Sequence, residues 1–410
     1  MSRSTRRRGA LTTCVVERRL WGDTPFSLFD VGCSGGVESR WRVFGDRLRA
    51  VGFDPLVAEI DRLNTANENP GITYEAARVT CRDYDTLFPR ALRGDVISSK
   101  NNQPFERTSA AAADRQRQTS YIQDRFNSGA PIVLTDRSLV LDDYVAADPH
   151  QTVDFIKIDT DGSDIEVILG ADATMRAGGI LGLSVEAQFH GAAHEFANTF
   201  SNIDRIMRQR GFTLFDLPTH RYSRAELPAP FLSHIAAHTI SGQIMWGEAL
   251  YFRDLASTDY ERMWSYEVTP ERVMKLACLF ELFALPDCAA ELLQNRGGFL
   301  DEGTRRLLLD LLVSGEPGSY AELIAAFQSD FTQFCPSNLR TSEPLSNSAP
   351  SDGDVAKLEE KIAKLRHRLQ ERDAQLERLR QRVSELKSKR TQHAKDRGGR
   401  ATSDSPGGRR

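Results

Sequence analysis

Few folds accommodate the junction at residues 26–36. An apolar run, Phe26-Ser-Leu-Phe-Asp-Val31, carries Asp30 near its end and gives way to a bend, Gly32-Cys-Ser-Gly-Gly36. Glycine is used where backbone must turn sharply or approach another group closely. An apolar strand, a carboxylate and a turn with little side-chain bulk are how an open α/β sheet presents a nucleotide-like ligand at the carboxyl edge of its strands. The spacing discriminates among ligands. A dinucleotide fingerprint needs Gly-x-Gly-x-x-Gly, whereas this stretch reads Asp30-x-Gly32-x-x-x-Gly36, with no glycine two residues after Gly32. Taken alone, such a turn also occurs with no ligand at all.

A second strand tip at the right lag strengthens the ligand reading. Arg49-Ala-Val-Gly-Phe-Asp-Pro55 reads as a short strand ending in Asp54, 18 residues beyond Gly36. An acid there accepts hydrogen bonds from both hydroxyls of a ribose, one helix and one strand after the glycine turn. Strands are expected at Phe26–Val31, Ala50–Phe53, Ile72–Val79, Val153–Asp159, Ile180–Glu186, Phe212–Asp216 and Ala249–Phe252. Helical periodicity falls between several of them, at Leu56–Asn67, Asp164–Ala177 and Thr199–Arg210. Short apolar strands separated by helices indicate a mostly parallel sheet covered on both faces. Right-handed crossovers then bring every strand's carboxyl end to one edge, where functional residues collect. The polar, alanine-rich stretch 95–130 is an insertion, either a lid over the ligand or a surface excursion.

The chain is 410 residues long, enough for two or three domains. Its net charge of −4 creates no field that selects nucleic acid. Six cysteines are scattered without a Cys-x-x-Cys pair, against a zinc knuckle or disulfide framework and for a reducing compartment. Cys33 sits in the glycine turn, as a reactive thiol or as a small side chain facing the ligand. Residues 1–25 form a basic lead-in with one short helix. Its apolar run, Ala10–Val16, is too short for a signal-peptide core or a membrane span, so the expected location is cytoplasmic.

Beyond the α/β region at 26–254, residues 255–335 read as a small helical domain, with helices at Thr269–Phe283, Cys288–Asn295, Glu302–Leu312 and Tyr320–Phe334. A Ser/Pro/Asn-rich linker follows at 336–354. From 355 to 388, apolar residues from Val355 to Leu386 recur in steps of three and four. Val355, Ile362 and Val383 hold a positions, and leucine holds four of the five d positions, with Arg372 the exception. This pattern favours a parallel two-stranded coiled coil, hence a homodimer; the other reading is a single amphipathic helix against the globular body. The Gly- and Arg-rich stretch 389–410 reads as a disordered basic tail.

The third informative stretch is Asp154-Phe-Ile-Lys-Ile-Asp-Thr-Asp-Gly-Ser-Asp164. A strand ends in Asp159, a turn follows, and a helix opens near Asp164, an acid suited to its dipole and cap. Asp159 and Asp161 fall at the carboxyl edge. Four blocks occur in order: Asp30-Val-Gly-Cys-Ser-Gly-Gly36, Gly52-Phe-Asp-Pro55, Leu139-Val-Leu-Asp-Asp-Tyr144 and Phe155-Ile-Lys-Ile-Asp-Thr-Asp-Gly162. Over residues 20–254 they resemble the FkbM family of S-adenosylmethionine-dependent methyltransferases. The resemblance implies a class I methyltransferase fold: Rossmann-like, with a seven-stranded, mostly parallel sheet whose final strand is antiparallel. It implies O-methylation of a hydroxyl or carboxyl on a carbohydrate or secondary-metabolite acceptor, with S-adenosyl-L-methionine as the cofactor.

Carried over by motif, Asp30, Gly32, Cys33, Ser34 and Gly36 shape the methionine end of the cofactor pocket. Asp54 binds the ribose, and Asp159 closes the pocket near the sulfonium. Asp161 and Asp164 stand where the family more often has Glu, which keeps the charge and shortens the reach. Candidate bases for the acceptor proton are Asp159, Asp161, Glu186 and His190. His190 and His194 also fit a solvent-facing loop, and no recognised zinc spacing is present, so no metal is expected. Arg221, Tyr222 and Arg224 fit either a grip on an anionic or sugar substrate or a polar hairpin. A rival class is an inactive, methyltransferase-like platform that recruits partners through its coiled coil.

Overall fold

The computed structural model describes residues 9–82, 84–87, 133–191, 194–222, 242–313 and 319–330. The insertion at 95–130, Arg224, the linker, the heptads of 355–388 and the basic tail lie outside the described residues.

The strands, in chain order, are β1 (Phe26–Val31), β2 (Leu48–Asp54), β3 (Ile72–Ala76), β4 (Arg78–Thr80), β5 (Ser138–Val140), β6 (Phe155–Ile158), β7 (Gly182–Gln188), β8 (Phe212–Asp216), β9 (Thr219–Tyr222) and β10 (Gln243–Arg253). The main sheet runs β3-β2-β1-β6-β7-β10-β8, with β9 also paired to β10. The pairs β3–β2, β2–β1, β1–β6 and β6–β7 are parallel. β10 is antiparallel to β7, β8 and β9. Every residue of β1 is buried, as befits a central strand covered on both faces.

The sequence expectation of seven strands meets eight here because β10 is longer than expected. Its first half pairs with β9 and its second half with β8. The run expected as one strand at Ile72–Val79 divides after Ala76. β3 stays in the main sheet, while β4 pairs with β5 in a separate two-stranded ribbon.

Helices in chain order are α1 (Ala10–Glu17), α2 (Val57–Ala66), α3 (Tyr84–Leu87), α4 (Leu141–Ala146), α5 (Asp164–Gly170), α6 (Asp172–Arg176), α7 (Phe200–Arg208), α8 (Tyr260–Trp264), α9 (Pro270–Leu282), α10 (Pro286–Arg296), α11 (Glu302–Leu312) and α12 (Tyr320–Ser329). The helix expected over Asp164–Ala177 is broken at Ala171 into α5 and α6. There α5 runs close to the ribbon, since a side chain at Gly170 would sit 2.2 Å from the Thr80 carbonyl oxygen. Between β1 and β2 the crossover is a 3-10 segment, Ser39–Arg47, interrupted at Gly45.

Alternation along the strands sorts two cores. Phe26, Leu28, Phe155 and Phe252 face one side, Phe29, Val31, Ile156 and Val185 the other. The first core continues without a break into Leu11 of α1 and into Leu276, Phe280 and Leu293. The helical segment, read from the sequence as a small domain, therefore shares the sheet's core. A buried ion pair fastens it there. Lys275 of α9 lies 3.0 Å from Asp154 and donates to the Pro25 carbonyl at 2.7 Å, while Asp154 also accepts the Ser27 N–H at 2.7 Å. The opening N–H groups of α1, which its own helix leaves without acceptors, donate to the Glu281 carboxylate at 2.9 and 2.7 Å. Among the described residues no helix is long and apolar enough to cross a membrane.

Candidate active site

The glycine turn is built by backbone approach. The N–H groups of Gly32 and Cys33 both donate to the Phe53 carbonyl, at 2.9 and 3.2 Å, which ties the tip of β1 to that of β2. Gly32 has φ +80°, and a side chain there would lie 1.8 Å from the Asp159 carbonyl oxygen. Only glycine lets the tips of β1 and β6 come so close. At the far end of the turn, Gly36 has φ +86°, with Leu63 and the Tyr74 hydroxyl 3.1 Å from where its side chain would begin. Two buttresses hold the turn from behind. Fully buried Glu59 of α2 accepts the Gly35 N–H at 2.8 Å and is itself gripped by Arg62. The Tyr74 hydroxyl accepts the Val37 N–H at 3.2 Å.

Lys157, from the middle of β6, organises the charges. Its ammonium donates to the Gly32 carbonyl at 3.1 Å and sits 3.3 Å from both Asp30 Oδ1 and Asp159 Oδ2. Asp30 is 2% exposed, and burial pushes its carboxyl up to about 6 despite the lysine. Its Oδ1 meets the ammonium without hydrogen-bond alignment and accepts no hydrogen bond among the described residues. Two flanking carboxylates raise the Lys157 ammonium against the opposing effect of burial. Asp159, by contrast, is half exposed.

Asp54 ends β2, buried, with one oxygen accepting the Leu56 N–H at 2.8 Å. Burial raises its carboxyl, and the backbone N–H groups of Leu56 and Ser34 offset part of that rise. Ser34 is exposed. Cys33, for which the sequence left open a reactive thiol or a side chain facing the ligand, is 1% exposed and packed with Ile60 and Leu63 beneath Gly52. Burial raises its thiol far above the usual value, so the reactive thiolate form is suppressed.

The four candidate bases separate. Glu186 of β7 lines the same cavity as Asp159. Burial, then the charges of Asp159, Asp164 and Asp161, raise its carboxyl well above the usual range. Gln188 donates to its Oε1 at 3.2 Å. Asp161 is exposed, at φ 54° in the turn before α5. His190 turns to the start of β10, with Nε2 2.8 Å from the Ile244 carbonyl and 2.9 Å from the Gln243 amide. Asp164 is buried and acts within the loop. It accepts the Thr160 N–H and hydroxyl at 3.0 and 3.1 Å and the Asn198 amide at 2.8 Å, and burial raises it to about 6. Arg221 donates to the Gly242 carbonyl across the β9–β10 pair.

A cavity of about 250 Å³ opens beside Asp159 over β6, β7 and β10. Strand alternation sets its floor: Phe155 and Lys157 from β6 with Asp159 just past its end, Ser184 and Glu186 from β7, and Trp246, Glu248 and Leu250 from β10. Trp41 and Phe283 form an aromatic wall with Phe155. The Phe155 and Phe283 rings stack at 5.2 Å, and the Arg40 guanidinium lies 5.0 Å from the Phe283 centroid. A larger cavity, about 870 Å³, lies on the other side of the glycine turn near Arg42, Arg49 and Arg62, and neither Asp30, Asp54 nor Asp159 lines it. Among the described residues no group of three or more His, Cys, Asp or Glu side chains is arranged to hold a metal ion.

Sequence reasoning singled out Asp159 and Glu186, which the structure joins, and His190, which it turns away. It missed Lys157, Glu59, Tyr74 and Glu248. Lys157 could have been found, since a lysine inside an otherwise apolar strand between two acids calls for a buried partner. Glu248 could not, because its register against β7 is set by pairing across 62 residues of sequence.

Residues 63–214 match the family model described as the methyltransferase FkbM domain. The match spans the β6 block, Asp159, Glu186 and His190, and begins after the glycine turn and Asp54. The chain therefore carries a methyltransferase domain of the FkbM type. None of the curated proteins matches it. Among solved structures it is similar to a precorrin-6y C5,15-methyltransferase from Geobacter metallireducens GS-15, with 11% identity over 58% of this chain and 85% of that one and a TM-score of 0.26. It is also similar to a SAM dependent methyltransferase from Aquifex aeolicus, with 10% identity over 60% of this chain and 92% of that one and a TM-score of 0.24. Likenesses this slight add nothing to the reading below.

Proposed function

We propose that this chain, a methyltransferase by its FkbM domain, uses S-adenosylmethionine to methylate an oxygen of a carbohydrate or secondary-metabolite acceptor. The observation that carries the reading is the alignment of three acidic strand tips, Asp54, Asp30 and Asp159, with a cavity of about 250 Å³ next to the last. The residues fit the cofactor. Asp30 Oδ1 is a buried acceptor without a hydrogen-bond donor beside the glycine turn, and it suits the ammonium of the methionyl end. Asp54 uses one oxygen for the Leu56 N–H. A carboxylate has about four acceptor positions, which leaves room for both ribose hydroxyls.

Bound there, S-adenosylmethionine supplies an electrophilic methyl group on a cationic sulfur. The protein's part is to orient the acceptor oxygen, exclude water and receive a proton. Trp41, Phe155 and Phe283 wall the cavity and keep water from the acceptor. The Asp159–Glu186 pair takes the hydroxyl proton as the oxygen bonds to carbon. Burial and like charge raise Glu186, and a raised carboxyl is a stronger base in its ionised form. Lys157 holds Asp159 in place and balances the negative charge beside it. We further infer dimerisation through the heptads of 355–388.

Incubation with an isotope-labelled methyl donor and a mixture of hydroxylated glycans tests the chemistry. The account expects label in base-stable methyl ethers. Label only in base-labile esters would move the acceptor to a carboxyl, and label on nitrogen would contradict O-methylation.

A further inference from the structure

The backbone donors of the glycine turn are engaged within the protein. The N–H groups of Gly32 and Cys33 go to the Phe53 carbonyl, that of Gly36 to the Cys33 carbonyl at 2.8 Å, and that of Val37 to the Tyr74 hydroxyl. The Ser34 N–H lies close enough to the Asp54 carboxyl to lower it. The Gly35 N–H donates to Glu59 Oε1 at 2.8 Å. A turn that cradles phosphate does the reverse and aims successive N–H groups at its ligand. This one has carbonyl oxygens to offer. A trans peptide holds its C=O opposite its N–H, so the bond to Glu59 turns the Ser34 carbonyl away from α2. That oxygen accepts no hydrogen bond among the described residues.

Glu59 stands in the first turn of α2, where a carboxylate favours the helix dipole equally well from the solvent side. It is nevertheless 0% exposed, and burying a charge is costly unless it is paired and hydrogen-bonded. Its partners account for the burial. The half-exposed Arg62 grips both oxygens, Nε to Oε2 and Nη2 to Oε1, each at 2.7 Å, and Oε1 also takes the Gly35 N–H. Resting on the cofactor reading above, we propose that Glu59 is a positioning residue that fixes which class of ligand the turn accepts. By holding the Gly35 N–H behind the turn, it leaves acceptors for the amino-acid end of an adenosyl ligand and withholds a donor from phosphate. Asp30 Oδ1, buried and without a hydrogen-bond donor beside the same turn, adds a further acceptor. A phosphate at the turn would meet the Asp30 carboxylate and no free N–H.

The test compares S-adenosylhomocysteine with adenosine 5′-diphosphate, which keeps the adenosine and carries phosphates in place of the amino acid. Both are titrated calorimetrically into the full-length wild type and its Glu59→Met and Glu59→Gln variants. The wild type is expected to prefer S-adenosylhomocysteine. Glu59→Met frees the Gly35 N–H, and Gly35 is exposed, so the freed donor is not stranded in the core. Losing this one charge-assisted bond should cut the preference by about tenfold or more, with S-adenosylhomocysteine weakened and adenosine 5′-diphosphate strengthened. Glu59→Gln keeps an amide oxygen for Gly35 and should retain most of the preference. Equal weakening of both ligands by Glu59→Met would show that Glu59 only supports the fold, and would overturn the inference. So would adenosine 5′-diphosphate that fails to bind Glu59→Met, or a glutamine variant as altered as the methionine one. Should Glu59→Met not fold, amide hydrogen exchange of the ligand-free wild type decides. The segment carrying Gly35 is expected to exchange slowly, and exchange at the rate of an open loop would overturn the inference. Each of these adverse results leaves the cofactor reading standing. Failure of the wild type to bind S-adenosylhomocysteine would defeat that reading, and this inference with it.

Discussion

Replacing Lys157 with methionine separates the charges at the heart of the site, and its cost should depend on pH. In the native protein Asp30 is raised from 3.8 to about 6 by burial, even with the lysine 3.3 Å away. At about 1.4 kcal/mol for each pH unit, ionised Asp30 already destabilises the fold by about 3 kcal/mol. Because its folded pKa lies above its unfolded value, this cost is absent at low pH, grows as pH rises from about 4, and is complete above about 6. Without Lys157 the folded pKa climbs further, so the cost keeps growing above pH 6. Removing one partner of a buried pair costs about 3–5 kcal/mol when the remaining group stays charged. At roughly 2 °C per kcal/mol for a folded unit of this size, Lys157→Met should melt about 6–10 °C below the wild type at pH 8 and nearly with it at pH 5. Thermal unfolding followed by circular dichroism at both pH values reads this directly. Adding Asp30→Asn to the variant should remove the pH dependence. A deficit of the same size at pH 5 and pH 8 would refute the reasoning, since it would mean that Lys157 acts by packing and not by balancing Asp30.

Other perturbations address other parts of the account. Asp54→Ala removes charge-assisted hydrogen bonds to a ribose worth about 1.5–3 kcal/mol each, so affinity for S-adenosylhomocysteine should fall by at least about tenfold with the melting temperature nearly unchanged; unaltered affinity would remove the ribose assignment. Gly32→Ala places a methyl group 1.8 Å from the Asp159 carbonyl at φ +80°. It should abolish cofactor binding and lower stability by about 2 kcal/mol or more, and wild-type binding in this variant would show that the β1 and β6 tips need not touch. Glu186→Gln should slow methyl transfer with little change in cofactor affinity and flatten the acidic limb of the pH–rate profile; an unchanged profile would take Glu186 out of proton transfer. Deleting residues 354–410 should convert a dimer into a monomer by light scattering, and an unchanged mass would eliminate the coiled coil as the dimer contact.

The parallel half of the fold was open to reading because its signals are local. The apolar run at Phe26–Val31 and the tips at Asp30, Asp54 and Asp159 each announce themselves within a few residues, and β1 and β8 fall on their expected bounds. Features set by distant pairing were not open in the same way. The split between β3 and β4 depends on β5, some sixty residues later, drawing Arg78–Thr80 into its own ribbon. The extra strand β9 exists because β10 runs long enough to pair twice. The core shared with α9 rests on Lys275 finding Asp154 across 121 residues. In the site the same division holds. The acids were found from their positions at strand ends, while Glu59, which pins Gly35 from the buried side of α2, looks in sequence like an ordinary surface glutamate. Cys33 differs from these: its place in the turn suggested contact with a ligand, and the structure packs it under Gly52 with Ile60 and Leu63.

The measurement that tests the central claim most directly is titration calorimetry of the full-length protein with S-adenosylhomocysteine, with NAD as the control. The account predicts one site per chain with micromolar affinity for S-adenosylhomocysteine and no heat from NAD. Binding of NAD in its place, or no binding of S-adenosylhomocysteine at any accessible concentration, would contradict the assignment of Asp30, Gly32 and Asp54 to this cofactor and would favour a platform that recruits partners without catalysis.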